Sequence, residues 1–369
     1  MKVSILGTRG IPARHGGFET FAEHLAIYLQ ARGHQVTVYC QGSDEQPLSE
    51  DTWNGIRRVT IYGKSSPVGT ILFDHRAAVH AAKHAGVVLT LGYNTGIFSI
   101  FYRLRAKPSL MNMDGLEWRR DKWSRTQRIW LRLNERLGAA LSDHVVADHP
   151  EIGRYLSGFV AREKITVIPY ECDPILQADP KAIESFNLTN NGYAIVIARP
   201  EPENSLLQIV DAFSRKKRGI KLFILGNYNP KKHRYHRQVM ESASAEVIFA
   251  GAIYDQSIVR ALRFYSRAYI HGHRVGGTNP SLVESLAAGN PIIAHDNRFT
   301  RWVAGPGQRY FADADALAKI LDEVLEDRVS LDHMSSASRA RHQQLFTPEL
   351  VLPLYESMLQ HYANDSTNQ

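Results

Sequence analysis

Glycine pairs set beside hydrogen-bonding side chains occur at two places in the chain. The first is Gly7-Thr8-Arg9-Gly10-Ile11-Pro12, followed by His15-Gly16-Gly17-Phe18-Glu19. Glycines at the end of a strand let backbone N–H groups approach an anion, next to a helix N-terminus that favours negative charge. The fingerprint G-x-G-x-x-G of dinucleotide sites is absent, so this stretch reads either as an anion cradle or as a plain strand-to-helix turn. The second is His271-Gly272-His273-Arg274-Val275-Gly276-Gly277-Thr278-Asn279-Pro280, running into Ser281-Leu282-Val283-Glu284. Asn279 suits a helix N-cap and Pro280 the first helical position. With Gly276 and Gly277 just before them, they make an N–H-lined pocket backed by the positive end of a helix dipole. That pocket suits a diphosphate.

Four further groups have chemistry to offer. Glu284 lies one turn into the second helix and reads either as an acceptor for a pair of ribose hydroxyls or as a solvated residue. Its apolar neighbours Leu282, Val283, Leu286 and Ala287 favour burial, and hence the first reading. Arg199, in Ala198-Arg199-Pro200-Glu201-Pro202-Glu203-Asn204, follows an apolar run and is set to bind phosphate bidentately or to pair with Glu201 or Glu203. Asp114 follows Ser109–Met113 and precedes Gly115, so it orients a sugar or caps the loop. Glu117 and Trp118 beside it suit a sugar face, although Trp118 reads rather more readily as plain core. His149 reads as a loop residue.

The elements that must position these groups alternate between β-branched runs and helical patterns. Strands are expected at Val3–Leu6, Gln35–Cys40, Arg58–Tyr62, Val87–Leu91, Ser109–Met113, His144–Ala147 and Ile165–Ile168, with a helix over Phe18–Arg32. The pattern restarts with strands at Tyr193–Ala198, Ile220–Leu225, Glu246–Phe249, Ala268–His271 and Pro291–Ala294, and a helix over Glu203–Lys217. Strands alternating with helices imply parallel sheets with crossover helices, an α/β class. The 369 residues, at about 150 per domain, fit two such domains. The expected division is 1–172, 173–346 and a last helix with a polar tail over 347–369. Thr347 and Pro348 start that helix, and Asn364–Gln369 are expected to be disordered.

Composition narrows the partners. Lys+Arg is 44 and Asp+Glu is 37, a balance of +7 that favours an anionic partner. Two cysteines, Cys40 and Cys172, exclude a disulfide framework and a cysteine-cluster metal site. No apolar run approaches the roughly 20 residues that span a bilayer, and the apolar start is too short for a signal peptide. A reducing cytoplasm is the expected home. Arg125, Arg128, Arg132 and Arg136 share one face of a helix, with Trp123, Trp130, Leu133 and Leu137 on an adjacent face. The pairing suits an anionic membrane surface, or a helix that packs by its Trp/Leu face with the arginines in water. No nucleic-acid motif accompanies Lys231-Lys232-His233-Arg234, so no nucleic-acid partner is expected.

Taken together, these stretches resemble the retaining GT-B glycosyltransferases of family four, and a bacterial rhamnosyltransferase-like subgroup of surface-polysaccharide assembly more closely still. The stretches that carry the resemblance are Gly7–Pro12 with His15–Glu19, Asp114–Trp118, Ile168-Pro169-Tyr170, Arg199 with Glu201–Asn204, and Gly276–Glu284. The resemblance runs from Met1 to about Tyr362. It implies two Rossmann-like domains facing a cleft, the acceptor on the first and the nucleotide-sugar donor on the second, with the last helix crossing back. It also implies catalysis without a metal or other cofactor. Arg199, Asp114 and Glu284 would be catalytic. Gly16, Gly17, Asn204, Arg274, Gly276, Gly277, Thr278 and Asn279 would join Arg199 and Glu284 on the donor, and Arg9, His15, Glu117 and Trp118 would join Asp114 on the acceptor. The implied substrates are a nucleotide sugar, foremost dTDP-rhamnose, and a lipid-linked saccharide at the inner face of the cytoplasmic membrane.

Two positions depart from the broad family. Its two glutamates stand eight apart; Glu284 matches the second, but position 276 is Gly where the sugar-reading Glu usually stands. Asn204 occupies the place of a lysine that partners the arginine, and Arg274 is placed to substitute. A UDP- or GDP-sugar donor, a nucleotide-sugar epimerase and, outside enzymes, a nucleic-acid-binding or inactive sugar-binding protein are the alternatives. Arg199→Ala and Glu284→Ala are each expected to cut transfer about tenfold or more with thermal stability nearly unchanged.

Overall fold

The computed structural model describes residues 1–13, 16–42, 48–64 and 66–365. They form two compact units: Met1–Arg119 with Trp123–Pro169 and Glu349 onward, and Arg120–Lys122 with Tyr170–Pro348.

In chain order the first unit comprises β1 (Lys2–Leu6), α1 (Gly17–Ala31), β2 (Gln35–Gly42), β3 (Leu48–Trp53), β4 (Ile56–Tyr62), α2 (Pro67–Ala82), β5 (Val87–Leu91), α3 (Ile100–Arg103), β6 (Ser109–Asn112), α4 (Arg125–Leu141), β7 (His144–Ala147), α5 (Pro150–Leu156) and β8 (Ile165–Val167). The sheet order is β3-β4-β2-β1-β5-β6-β7-β8, parallel except for β3. Val3 sits between Val36 and Val87, so the centre of the sheet is a β-branched layer covered on both faces. β3 is absent from the sequence expectation because its residues Leu48–Thr52 are all exposed and carry no apolar alternation. The signal that existed was its turn: Asn54 and Gly55 both take positive φ (49° and 77°), the requirement of a tight hairpin.

The second unit comprises α6 (Lys181–Glu184), β9 (Tyr193–Ile197), α7 (Leu206–Ser214), β10 (Lys221–Leu225), α8 (Arg234–Glu241), β11 (Val247–Gly251), α9 (Gln256–Phe264), β12 (Ala268–His271), α10 (Pro280–Ala287), β13 (Ile292–His295), α11 (Arg298–Ala304), β14 (Arg309–Phe311), α12 (Ala314–Val324) and α13 (Arg328–Leu345). Its strands, all parallel, order as β11-β10-β9-β12-β13-β14. The period of two along each strand splits the core. Ala194, Val196, Leu222, Ile224 and Ile270 pack with Ile209 and Phe213 of α7 and Leu317 and Leu321 of α12. On the opposite face Tyr193, Ile195, Phe223, Leu225 and Tyr269 pack with Leu262 of α9 and Leu282, Val283 and Leu286 of α10. Each fully buried Leu, Ile or Phe is worth roughly 1.5–3 kcal/mol, so both faces must be covered for the sheet to persist. The helix expected over Glu203–Lys217 is shorter. A single turn at Pro202–Asn204 is cut off from α7 by Ser205, whose φ is 51°.

The chain then returns to the first unit as α14 (Pro348–Asp365). The Tyr355 ring centre lies 4.8 Å from that of Phe21, and its hydroxyl accepts from Asn112 Nδ2 at 2.8 Å. Glu356 accepts from Tyr28 Oη at 3.0 Å and from Arg32 Nε at 2.8 Å. Asn364 and Asp365 are helical, against the expectation of a disordered tail; residues 366–369 lie outside the described residues.

The reading in which α4 packs by its Trp/Leu face is also overturned. The helix buries Leu131, Asn134, Glu135, Gly138 and Ala139, while Ile129, Trp130 and Leu133 are exposed. The reason is a close approach. Gly96 lies against Gly138, so that a Cβ at 96 would fall 2.4 Å from the Asn134 carbonyl oxygen. Asn134 Oδ1 also accepts from the Ile97 N–H at 3.0 Å. Gly138 leaves room for that contact, and Asn134 supplies its hydrogen bond.

Candidate functional site

In the second unit, β9 leads to Arg199, which is exposed just past the carboxyl end of the strand. The loop behind it is held from inside. Asn204 is buried; its Nδ2 donates to the Arg199 carbonyl at 2.8 Å, and its Oδ1 accepts from His273 Nδ1 at 2.6 Å. The Arg274 N–H donates to the Glu203 carbonyl at 2.9 Å, and its guanidinium donates to the Pro202 carbonyl at 3.1 Å. The loops after the neighbouring strands β9 and β12 are therefore joined, and Arg199, Asn204 and Arg274 come together. Both polar ends of Asn204 are engaged within the loops, which makes it a positioning residue here.

The N-terminus of α10 is built as its residue types imply. Asn279 Oδ1 accepts from the Ser281 N–H at 3.0 Å, and Pro280 opens the helix. Gly277 has φ 124°, which L side chains rarely adopt. Thr278 is buried. Gly277 and Asn279 border a pocket with Val275, His271, His273 and Phe299. His271 is not among the expected site residues, although it stands in the same stretch. Burial, then its neighbours His273 and His295, push its pKa well down, so the ring is neutral. Its Nε2 is buried with no hydrogen-bond partner among the described residues. Phe299 is the other unforeseen feature. A Cβ on Gly276 would fall 2.1 Å from Phe299 Cζ, so the ring fills the space a side chain at 276 would take.

Glu284 is ion-paired with Arg263. The Arg263 side chain is buried and also donates to Ser281 Oγ at 3.0 Å. This changes the expectation for Glu284→Ala: removing the carboxylate strands a buried guanidinium, so stability cannot stay nearly unchanged.

In the first unit, Arg9 is exposed, and its carbonyl accepts from the Gln41 N–H at 3.0 Å. Gly16 precedes α1 and Gly17 opens it, leaving N–H groups at the helix end. His15 lies outside the described residues. Asp114 follows β6 with φ 52°, a left-handed conformation uncommon outside glycine. Its N–H donates to Asn112 Oδ1 at 2.9 Å. Tyr93 Oη donates to the Gly115 carbonyl at 3.1 Å and accepts from the Glu117 N–H at 2.9 Å, which pins the loop. Glu117 accepts from Trp123 Nε1 at 3.1 Å. Trp118 donates to Glu135 at 3.2 Å, with the guanidiniums of Arg119 and Arg132 each 5.1 Å from its ring. It is half-buried, a supported ring and not plain core. His149 caps α5, accepting from the Glu151 N–H at 3.0 Å.

The first unit also holds a carboxyl that the sequence did not single out. Asp74 on α2 borders a small pocket with Gly7, Thr90 and Thr95. Burial pushes its pKa up to about 6, against the Thr95 hydroxyl that donates to it at 2.9 Å. Among the described residues, no group of three or more His, Cys, Asp or Glu is arranged to hold a metal ion.

Residues 179–341 match the family described as glycosyl transferases group 1, and residues 1–173 match a domain of unknown function, DUF1972. No curated protein matches the chain. Sucrose-phosphate synthase from Thermosynechococcus elongatus superposes with a TM-score of 0.80 at 18% identity, covering 98% of each chain. HepE from Anabaena, solved with UDP and glucose, superposes at 0.76 and 16% identity, covering 98% of this chain and 100% of that one. A trehalose-phosphate synthase from Burkholderia vietnamiensis gives 0.73 at 10%, covering 98% and 99%. Residues 179–341 form a glycosyl transferases group 1 domain, and the chain is a glycosyltransferase with the GT-B fold.

Proposed function

We propose that the chain transfers a sugar, with retention, from a nucleoside diphosphate to a lipid-linked saccharide, with dTDP-rhamnose as the foremost donor, at the inner face of the cytoplasmic membrane during surface-polysaccharide synthesis. The observation that carries the donor side is the edge of the second unit, where exposed Arg199 and the Gly277–Asn279 helix start lie at the carboxyl ends of β9 and β12. The HepE structures with UDP and with UDP-glucose support a nucleotide-sugar donor by likeness of fold. In the reaction, the bond between the anomeric carbon and the β-phosphate oxygen breaks. The acceptor hydroxyl oxygen bonds to that carbon from the same face, and its proton passes to the leaving phosphate. Charge grows on the phosphate in the transition state. Arg199 and the N–H groups at the start of α10 are suited to such charge, each donor worth about 3–4 kcal/mol. Glu284 and Asp114 orient hydroxyls, and no step calls for a metal.

The donor sugar is the finer part of the reading. Phe299 occupies the space beside Gly276, in a pocket where Val275, Leu282 and Val303 stand with His271, His273, Asn297 and Thr300 and, among the described residues, no carboxylate. A pocket without a carboxylate favours a sugar with fewer hydroxyls to read, as a deoxy-sugar has. The test is donor consumption with dTDP-, UDP- and GDP-sugars, with and without a lipid extract carrying undecaprenyl-linked saccharides. Consumption of dTDP-rhamnose alone, and only with the extract, is expected. Consumption of another donor would overturn the rhamnose assignment and leave the reaction class intact.

A further inference from the structure

We propose that the outward face of α4 in the first unit docks on an anionic lipid bilayer, with Ile129, Trp130 and Leu133 entering the interfacial layer and Arg125, Arg132 and Arg136 meeting the headgroups. This deepens the reading of a lipid-linked acceptor and rests on it for the choice of partner. Ile129 is 68% exposed and Leu133 50%, one turn apart on the same face. Trp130 is 39% exposed, with its Nε1 tied to the Asn94 carbonyl at 3.1 Å, so its ring is held in place.

Charge decides between occupants. The four arginines of α4 are opposed by one carboxylate on that helix, Glu135, and it is buried against Trp118 and Tyr155. The exposed face of the helix thus carries apolar and cationic groups and no acidic ones. Arg136 lies 3.5 Å from the centre of the Phe159 ring and Arg132 5.1 Å from that of Trp118, so both guanidiniums are pre-positioned. Arginine stems can lie along an apolar layer while their heads stay among phosphates. An amphipathic helix of this kind binds by apolar burial plus attraction to anionic lipid.

The test is co-sedimentation of the full chain with vesicles of phosphatidylglycerol and phosphatidylethanolamine, against vesicles of phosphatidylcholine alone. Two variants separate the contributions: Ile129→Gln with Leu133→Gln, and Arg125→Gln with Arg132→Gln and Arg136→Gln. Each is expected to weaken binding to the anionic vesicles at least tenfold with an unchanged melting temperature, and salt is expected to weaken the wild type. Equal binding of wild type and both variants, or no binding to anionic vesicles, would overturn the proposal. So would loss of self-association in sedimentation velocity on the glutamine substitutions without vesicle binding, which would make the face a contact between copies. Binding without transfer to a lipid-linked acceptor would leave docking standing and sink the proposed reaction. Transfer without vesicle binding would do the reverse.

Discussion

Arg199 is exposed, so Arg199→Ala should cut transfer by a factor of about 10²–10³ and leave the melting temperature unchanged. Unchanged transfer would remove the diphosphate from that loop. Glu284→Ala should behave differently and cost about 3 kcal/mol of unfolding free energy, because Arg263 is left buried without its counter-charge. Denaturant titration of the two variants checks both statements. Asp74 makes a third case. Its folded pKa is raised above the unfolded value, so the stability it permits is complete below about pH 4 and is lost as pH rises through about 6. Asp74→Asn should therefore be more stable than wild type by roughly 2–3 kcal/mol at about pH 7, with no advantage near pH 3.5. Unfolding free energies at several pH values read this directly.

At the scale of elements, the strands of the second unit are legible in the sequence because β9, β10, β12 and β13 are apolar on both faces. The helix start at Asn279-Pro280 is legible from cap chemistry alone. β3 is not, since a strand whose residues are nearly all in water needs no apolar pattern. The orientation of α4 is not either. Amphipathicity identifies a helix and its stripes, but which stripe is buried depends on a glycine contact from a segment well before it in the chain, at Gly96. Gly96→Ala tests that contact. Its Cβ would meet backbone, which cannot move aside as a side chain can, and the cost should be about 2 kcal/mol. A variant as stable as wild type would mean that α4 is seated by other contacts. Among the site residues, the glycines and Asn279 are readable from type, whereas Asn204 and Phe299 take their roles from neighbours distant in sequence.

At the scale of the whole molecule, α14 is the element that most changes what each unit needs. Val351, Leu352, Tyr355, Met358 and Leu359 are all buried, and together they represent on the order of 10 kcal/mol of apolar burial. A chain ending at Thr347 should lose the cooperative unfolding of the first unit, while the core of the second remains protected from amide exchange. Equal protection in both units would show that α14 is dispensable. Glu356 adds a pH dependence to the same helix. Burial would raise its pKa, but the hydrogen bonds from Arg32, His34 and Tyr28 outweigh burial and leave it below the ordinary value. Its contribution is present above the unfolded pKa and fades as pH falls through the lower folded one.

The return of α14 has a consequence for how the protein is made. The first unit begins at Met1 and is completed only by residues after Pro348, whereas the main segment of the second unit, Tyr170–Pro348, lies wholly between. On a ribosome, Tyr170–Pro348 is synthesised in full before the last piece of the first unit. Until the residues after Pro348 leave the exit tunnel, the surfaces around Phe21 and Asn112 wait without Tyr355. Emergence of the residues after Pro348, and not completion of the amino-terminal half alone, sets when that half is safe from aggregation and proteolysis.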